Sequence, residues 1–228
     1  MPELGLEAVG GSRDSAPFLA ASDHVPPENI VSSEQHAEID DVALARASEY
    51  RLLATLLAKA PSSELLAHIA RIAGDDTTLG RAHTALADAA RNTDTDALAR
   101  EYFDLFIGVG RGEILPYASY YLTGFLQERP LAAIRDDMSA IGIECAEGIP
   151  EPEDHIAILC EIMAGLATRQ FEVELATERR FFERHLKSWA PRFFADLESA
   201  TSTKFYRNVG SLGRLFLEIE AEGFAMLA

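Results

Sequence analysis

Glu151-Pro152-Glu153-Asp154-His155 carries the densest group of chemically active side chains in the chain, and an apolar run follows it. Carboxylates beside an imidazole are able to bind a cation, hold a metal ion or move a proton. A helix start explains part of the pattern, because proline suits a first helical turn and acids there face the positive end of the helix dipole. It does not explain His155. We therefore expect Pro152 to open a helix, and we take Asp154 and His155 as candidate functional residues.

The spacing of the other reactive residues argues against an enzyme. No histidine lies three residues after an acid, as di-metal bundles require, and His-Glu-x-x-His is absent. The glycine-rich segment 108–112 lacks the lysine and hydroxyl pair of a phosphate loop and favours a helix C-terminus. Cys160 lies in an apolar run, and Cys145 lies near glutamates that disfavour a thiolate. The sequence thus predicts no catalytic residue, no metal site and no cofactor.

Two aromatic segments precede the acidic one. In the first, Tyr102, Leu105 and Phe106 follow the i, i+3, i+4 spacing of one helix face. In the second, aromatic rings and hydroxyl groups occur together, which suits a groove that binds a peptide. The candidate residues of this second segment are Pro116, Tyr117, Ser119 and Tyr120.

The overall charge is strongly negative, with 37 acids, 20 bases and a net charge of −17. Such a surface repels phosphate backbones, so we expect no nucleic-acid partner, and it attracts cationic ligands such as arginine-bearing peptides. The alternative is that the negative charge only keeps the protein dissolved and has no role in binding. No apolar run reaches the ~20 residues of a membrane helix, so no membrane insertion is expected. With two separated cysteines and no secretory-signal pattern, the sequence favours the cytoplasm.

The N-terminal segment, residues 1–38, is rich in glycine, serine, proline and acids and has no periodicity. This composition predicts an acidic, disordered tail. The alternative is that the tail docks on the body through Phe18-Leu19 or Ile30-Val31. Residues 39–228 then form the folded domain.

Helical periodicity covers most of the chain after residue 40, and strand alternation is almost absent. We predict an all-α fold, a single helical-bundle domain of about ten helices. Glycine, proline and acids without a period mark residues 142–152 as a hinge. A short helix is predicted at Tyr120–Leu126, and one long helix at Phe171–Trp189.

In order and separation, these segments resemble the TorD/DmsD/NarJ family of redox-enzyme maturation chaperones. The family carries Tyr-x-x-Leu-Phe, Pro-aromatic-x-Ser, Glu-Pro-x-Asp-His and a downstream His-Leu-x-x-Trp, and the likeness covers about residues 40 to 220. The matching residues are Tyr102, Leu105, Phe106, Pro116, Tyr117, Ser119, Glu151, Pro152, Asp154, His155, His185, Leu186 and Trp189.

The resemblance implies an all-helical protein without catalytic turnover, acting in the cytoplasm as a monomer or homodimer. It implies that the chain binds the twin-arginine signal peptide of the apo form of a molybdenum-containing oxidoreductase and assists cofactor insertion before export. The Asp-His pair and the hinge would lie at the binding site. Guanine-nucleotide binding and domain swapping, known in the family, cannot be assigned to residues here. The predicted peptide-binding residues are Tyr117, Ser119, Tyr120, Glu151, Asp154 and His155.

Two other functions remain open at the level of sequence. The first is an acidic helical scaffold or regulator that binds another protein without chaperone activity. The second is a helical-bundle enzyme that uses Asp154 and His155 as a base pair. The client enzyme is also open between a formate dehydrogenase, a sulfoxide or amine-oxide reductase and a nitrate reductase.

Overall fold

Helices make up about 66% of the chain, so the predicted all-α fold is confirmed. The structure, a computed structural model, describes residues 18–21 and 40–226. Within these residues lie ten α-helices, one π-helical turn and two short strands. Their bounds are β1 Leu19–Ala21, α1 Asp41–Ala58, α2 Ser63–Ile69, α3 Thr78–Arg91, α4 Thr95–Tyr102, the π-helical turn Phe103–Ile107, α5 Ala118–Thr123, α6 Arg129–Ile141, β2 Ile143–Cys145, α7 Ile156–Ala167, α8 Ala176–His185, α9 Ala190–Ser199 and α10 Tyr206–Met226.

The first four helices begin at side-chain caps. The carboxylate of Asp40 accepts a hydrogen bond from the Ala43 amide at 2.7 Å and thereby starts α1. Ser62, Thr77 and Asp94 cap α2, α3 and α4 in the same way. Each of these side chains satisfies an amide that the helix itself leaves without an acceptor.

The central helix of the molecule is α7. Each of its residues except Glu161 is buried, as expected for a helix that is apolar on all sides. Helix α1 packs along α7, while α10 packs against both α9 and α3. None of the described helices is long and apolar enough to cross a membrane.

Three predicted helix bounds are wrong. The helix predicted at Phe171–Trp189 is confined to α8, because Phe171 and Val173 pack against the core before the helix begins. The helix predicted at Tyr120–Leu126 begins at Ala118 and ends before Gly124, which has a left-handed φ of 83°. The third wrong bound concerns Pro152 and is described with the candidate site.

Four residues of the predicted tail, residues 18–21, lie in the part of the chain that the structure describes. Leu19–Ala21 pair antiparallel with Ile143–Cys145, and Phe18 and Leu19 pack against the core. The extent of the predicted tail stays a prediction. Ile30-Val31 and the rest of residues 1–38 lie outside the described residues. The hinge at 142–152 stays a prediction, and its first residues form β2 and the left-handed turn at Gly142.

Candidate functional site

The starts of α5 and α7 are joined side by side. Tyr117 and His155 form an isolated antiparallel bridge. On either side of it, the Ala118 amide donates to the Asp154 carbonyl at 3.0 Å, and the Ile156 amide donates to the Pro116 carbonyl at 2.9 Å. Two segments far apart in sequence, the aromatic one and the acidic one, therefore form one local structure.

Asp154 holds this junction from inside. It is fully buried, and its Oδ2 accepts a hydrogen bond from the Ser119 amide at 2.9 Å. This bond caps α5, whose own N-cap residue Tyr117 makes no side-chain cap. The second carboxylate oxygen, Oδ1, is buried without a hydrogen-bond partner. Asp154 therefore fixes the start of a neighbouring helix, and its predicted role in peptide binding stays a prediction.

His155 is the N-cap residue of α7. Its Nδ1 accepts a hydrogen bond from the Ala157 amide at 3.1 Å, and its ring meets the Tyr117 ring edge-on at 5.2 Å. Burial lowers the pKa of His155 to about 3, so the ring is neutral at pH 7 with its proton on Nε2. The expectation that His155 gains nothing from a helix start is wrong, because its ring supplies an acceptor there.

Pro152 does not open the helix that follows it. Its carbonyl accepts a hydrogen bond from the His155 amide at 3.0 Å, which closes a turn. His155 is then extended, with φ −68° and ψ 134°, because it pairs with Tyr117. Helix α7 consequently begins at Ile156, four residues later than predicted.

Glu151 is the half-buried acid of the site. Its Oε2 accepts a hydrogen bond from the Tyr117 hydroxyl at 2.6 Å. Burial and then this bond to Glu151 raise the pKa of Tyr117, so the phenol stays protonated and keeps donating. Burial and, to a smaller extent, the charge of Glu151 also raise the pKa of Tyr102 to about 12.

The remaining acids of the segment differ in their partners. Glu153 forms an ion pair with Arg135 at 2.8 Å, whereas Glu144 and Glu147 are exposed. Glu151 and Asp154 make no ion pair in the part of the chain that the structure describes. The two acids beside Tyr117 therefore have no ion-pair partner of their own among the described residues, although Arg135 also interacts electrostatically with Asp154.

Ser119 and Tyr120 have different roles on α5. Ser119 is buried, and its Oγ accepts a hydrogen bond from the Glu128 amide at 3.2 Å, which orders the turn after α5. Tyr120 is half-exposed and lies under the guanidinium group of Arg111, 5.6 Å from the ring centre. Tyr120 is thus available to a ligand, whereas Ser119 supports the site from within.

The π-helical turn is held on the core by three side chains, those of Tyr102, Leu105 and Phe106. The Tyr102 hydroxyl donates to the Ala58 carbonyl at 3.0 Å, Leu105 is fully buried, and the Phe106 ring lies 5.4 Å from that of Tyr206. The Leu105 carbonyl accepts the Ile114 amide at 2.8 Å and so fixes the loop that leads into α5.

Sequence comparison places the chain in a family. A family profile described as nitrate reductase delta subunit matches residues 72–195. The chaperone protein TorD of Vibrio atlanticus is 30% identical over 79% of this chain and 94% of its own length. This chain belongs to the TorD/DmsD/NarJ family. The predicted membership is confirmed, and so is the prediction of a protein that is not an enzyme, since the curated relatives are chaperones.

Other relatives of this TorD-family chain agree with the assignment. The chaperone protein TorD of Vibrio cholerae strain O395 is 31% identical over 53% of the chain and 59% of its own length. The crystal structure of a redox enzyme maturation protein from Archaeoglobus fulgidus matches with a TM-score of 0.55 over 82% of this chain and 99% of that one, at 20% identity. At that identity the structural match shows the fold alone.

Sequence reasoning missed two residues beside the site. Arg135 neutralises Glu153, and Glu161 accepts hydrogen bonds from the Phe18 amide through both carboxylate oxygens, at 2.9 and 3.1 Å. Glu161 carried a signal, because it is the one charged residue within the apolar run Ile156–Ala167. No sequence pattern marked Arg135, because its partner Glu153 lies 18 residues later, in the connection between α6 and α7.

Proposed function

We propose that this chain is a cytoplasmic chaperone that binds the twin-arginine signal peptide of an apo-molybdoenzyme and assists its cofactor insertion before export. Membership of the TorD/DmsD/NarJ family supports the chaperone role. The name of the family profile, nitrate reductase delta subunit, supports a molybdenum-containing oxidoreductase as the client class.

The observation that carries the peptide-binding proposal is the pair Glu151 and Asp154, which share the Tyr117 site and make no ion pair among the described residues. A carboxylate binds guanidinium through two parallel hydrogen bonds, which suits an arginine of the peptide. Glu151 is the half-buried acid and would make this contact. Asp154 and His155 would act as positioning residues, because they fix the two helix starts beneath Glu151 and Tyr117.

An exposed apolar surface lies beyond the site, at the end of α5. Leu122, Phe125 and Leu126 are 45%, 70% and 48% exposed, which is high for large apolar side chains in one segment. Contiguous apolar surface of this kind marks a site of protein interaction. It would contact the apolar part of the peptide or the unfinished surface of the client.

The proposal is tested by calorimetric titration of the purified full chain with two synthetic peptides. One carries two adjacent arginines followed by an alanine- and leucine-rich segment of about twelve residues, the range of a signal-peptide apolar region. The other is identical except for glutamines in place of both arginines. Charge-assisted hydrogen bonds contribute about 1.5–3 kcal/mol each, so we expect the arginine peptide to bind at least about tenfold more tightly.

Equal affinity for the two peptides would contradict recognition of the arginines. Absence of binding to either peptide would favour the acidic scaffold, which needs no signal peptide. Raising the salt concentration separates long-range attraction from direct contact, because screening weakens exposed charge pairs far more than enclosed ones.

A further inference from the structure

Residues 18–21 lie along the edge of β2, and Leu19–Ala21 form an added strand there. Leu19 lies opposite Cys145, Ala20 opposite Glu144 and Ala21 opposite Ile143. The Ala146 amide donates to the Phe18 carbonyl at 2.6 Å. We call residues 18–21 the strap. Strand addition of this kind is a general way for proteins to bind an extended peptide.

Glu161 faces the strap from α7. It is the one residue of this central helix that is not buried, and both its carboxylate oxygens accept hydrogen bonds from the Phe18 amide, at 2.9 and 3.1 Å. Burial raises the pKa of Glu161, while the Phe18 bond and the charge of Arg51 oppose that rise. The Glu161 carboxylate therefore contacts the N-terminal end of the segment that pairs with β2.

The edge thus offers two features in a fixed order. At the N-terminal end of the bound segment it presents the Glu161 carboxylate, and along the segment it presents an apolar floor on which Phe18 and Leu19 pack. Because the pairing is antiparallel, this N-terminal end lies beside Ala146, where a turn closed by the Ile149 amide and the Ala146 carbonyl follows β2. This order fits a peptide in which cationic residues precede apolar ones.

The chain's own sequence has the same order. Arg13 precedes Phe18-Leu19-Ala20-Ala21, as arginines precede the apolar segment of a twin-arginine peptide. Eighteen residues, 22–39, separate the strap from α1. Because the strap belongs to the same chain as β2, it binds at a high effective concentration.

We propose that the β2 edge, with Glu161 at one end, receives the apolar segment of the client signal peptide as an added antiparallel strand. The strap occupies this site in cis until a client peptide displaces it. This inference rests on the proposed function and adds to it the subsite for the apolar segment and a self-occupied resting state.

The test compares two proline substitutions in the full chain. Phe18 and Ala146 share a hydrogen bond, so the antiparallel alternation makes Ala20 and Glu144 the next hydrogen-bonded pair. Ala20→Pro removes a donor from this ladder, whereas Ala21→Pro removes an amide that points away from β2. Faster hydrogen exchange at Glu144 and Ala146 in Ala20→Pro alone verifies that the strap is released.

Both variants and the wild type are titrated with the arginine peptide described above and with a synthetic copy of residues 13–21. Loss of one ladder hydrogen bond lowers the equilibrium constant for binding of the strap to β2 about fivefold. Ala20→Pro should therefore bind both peptides up to about fivefold more tightly, and each peptide should displace the other. Ala21→Pro should match the wild type.

Equal affinity of all three proteins for the arginine peptide, or simultaneous binding of both peptides to Ala20→Pro, would overturn the inference and leave the proposed function intact. Failure of the arginine peptide to bind any of the three proteins would instead overturn the proposed function, and with it the client assignment of the β2 edge.

Discussion

At the residue scale, the acidic motif separates into side chains that bind and side chains that support. Asp154 and His155 have the residue types of a catalytic pair, yet each accepts a hydrogen bond from an amide at a helix start. Asp154 Oδ2 accepts from the Ser119 amide, and His155 Nδ1 accepts from the Ala157 amide. Glu151 keeps a half-buried carboxylate beside Tyr117. The residue types could be read from the sequence, but their division of labour depends on which helix each one caps.

The buried imidazole of His155 gives the protein a specific pH dependence. The pKa of His155 is about 3 in the folded chain, against about 6.5 for an unfolded histidine. Between these values the unfolded chain binds more protons, so stability falls as the pH decreases, by at most about 1.4 kcal/mol per pH unit.

We therefore expect the stability advantage of the wild type over His155→Asn to shrink by about 1 kcal/mol per unit between pH 6 and pH 4. Asparagine keeps an acceptor suited to the helix N-cap and does not titrate. The measurement is urea unfolding of both proteins across this pH range. A difference that does not change with pH would show that His155 is not buried as a neutral ring.

At the element scale, the predictable parts are the long periodic helices, and the unpredictable parts depend on distant partners. The bounds of α3 and the N-cap of α4 follow from local pattern and capping residues. The late start of the helix predicted from Phe171 depends on the packing of Phe171 against Gly165 of α7. The strap on β2 joins residues far apart in sequence, which no local pattern reports.

Close packing of α10 on α9 makes a prediction about two glycines of one helix. A Cβ atom on Gly210 would lie 2.4 Å from the Glu198 amide nitrogen, whereas a Cβ on Gly223 meets nothing within 4 Å. Alanine is favoured over glycine inside a helix by about 1 kcal/mol.

Gly223→Ala should therefore raise the free energy of unfolding by up to about 1 kcal/mol, and Gly210→Ala should lower it by about 2 kcal/mol or more, since backbone cannot yield as a side chain does. Thermal and urea unfolding of the two variants check this. Stabilisation by Gly210→Ala would mean that α9 and α10 are not packed as described.

At the scale of the whole molecule, the fold joins segments that are far apart in sequence. The π-helical turn fixes the loop before α5, the bridge between Tyr117 and His155 joins α5 to α7, and the strap covers β2. The sequence indicated the helical class and the importance of the first two segments. It did not indicate their burial, because burial is set by how α1, α6 and α7 enclose them.

We expect Glu151 to bind an arginine of the signal peptide directly. A double-mutant cycle measures this, with wild type and Glu151→Gln each titrated against the arginine peptide and against peptides with one arginine replaced by glutamine. Glu147→Gln is the matched control, since Glu147 is an exposed acid of the same connection and its loss changes the net charge equally.

We predict a coupling energy of about 1–2 kcal/mol between Glu151 and one of the two arginines, and a coupling near zero for Glu147. Asp154 and His155 are left unchanged in this cycle, so the helix starts beneath the site stay intact. If Glu151→Gln and each arginine substitution lower the binding free energy additively, as Glu147→Gln does, then Glu151 does not contact either arginine. The acidic motif would then only support two helix starts.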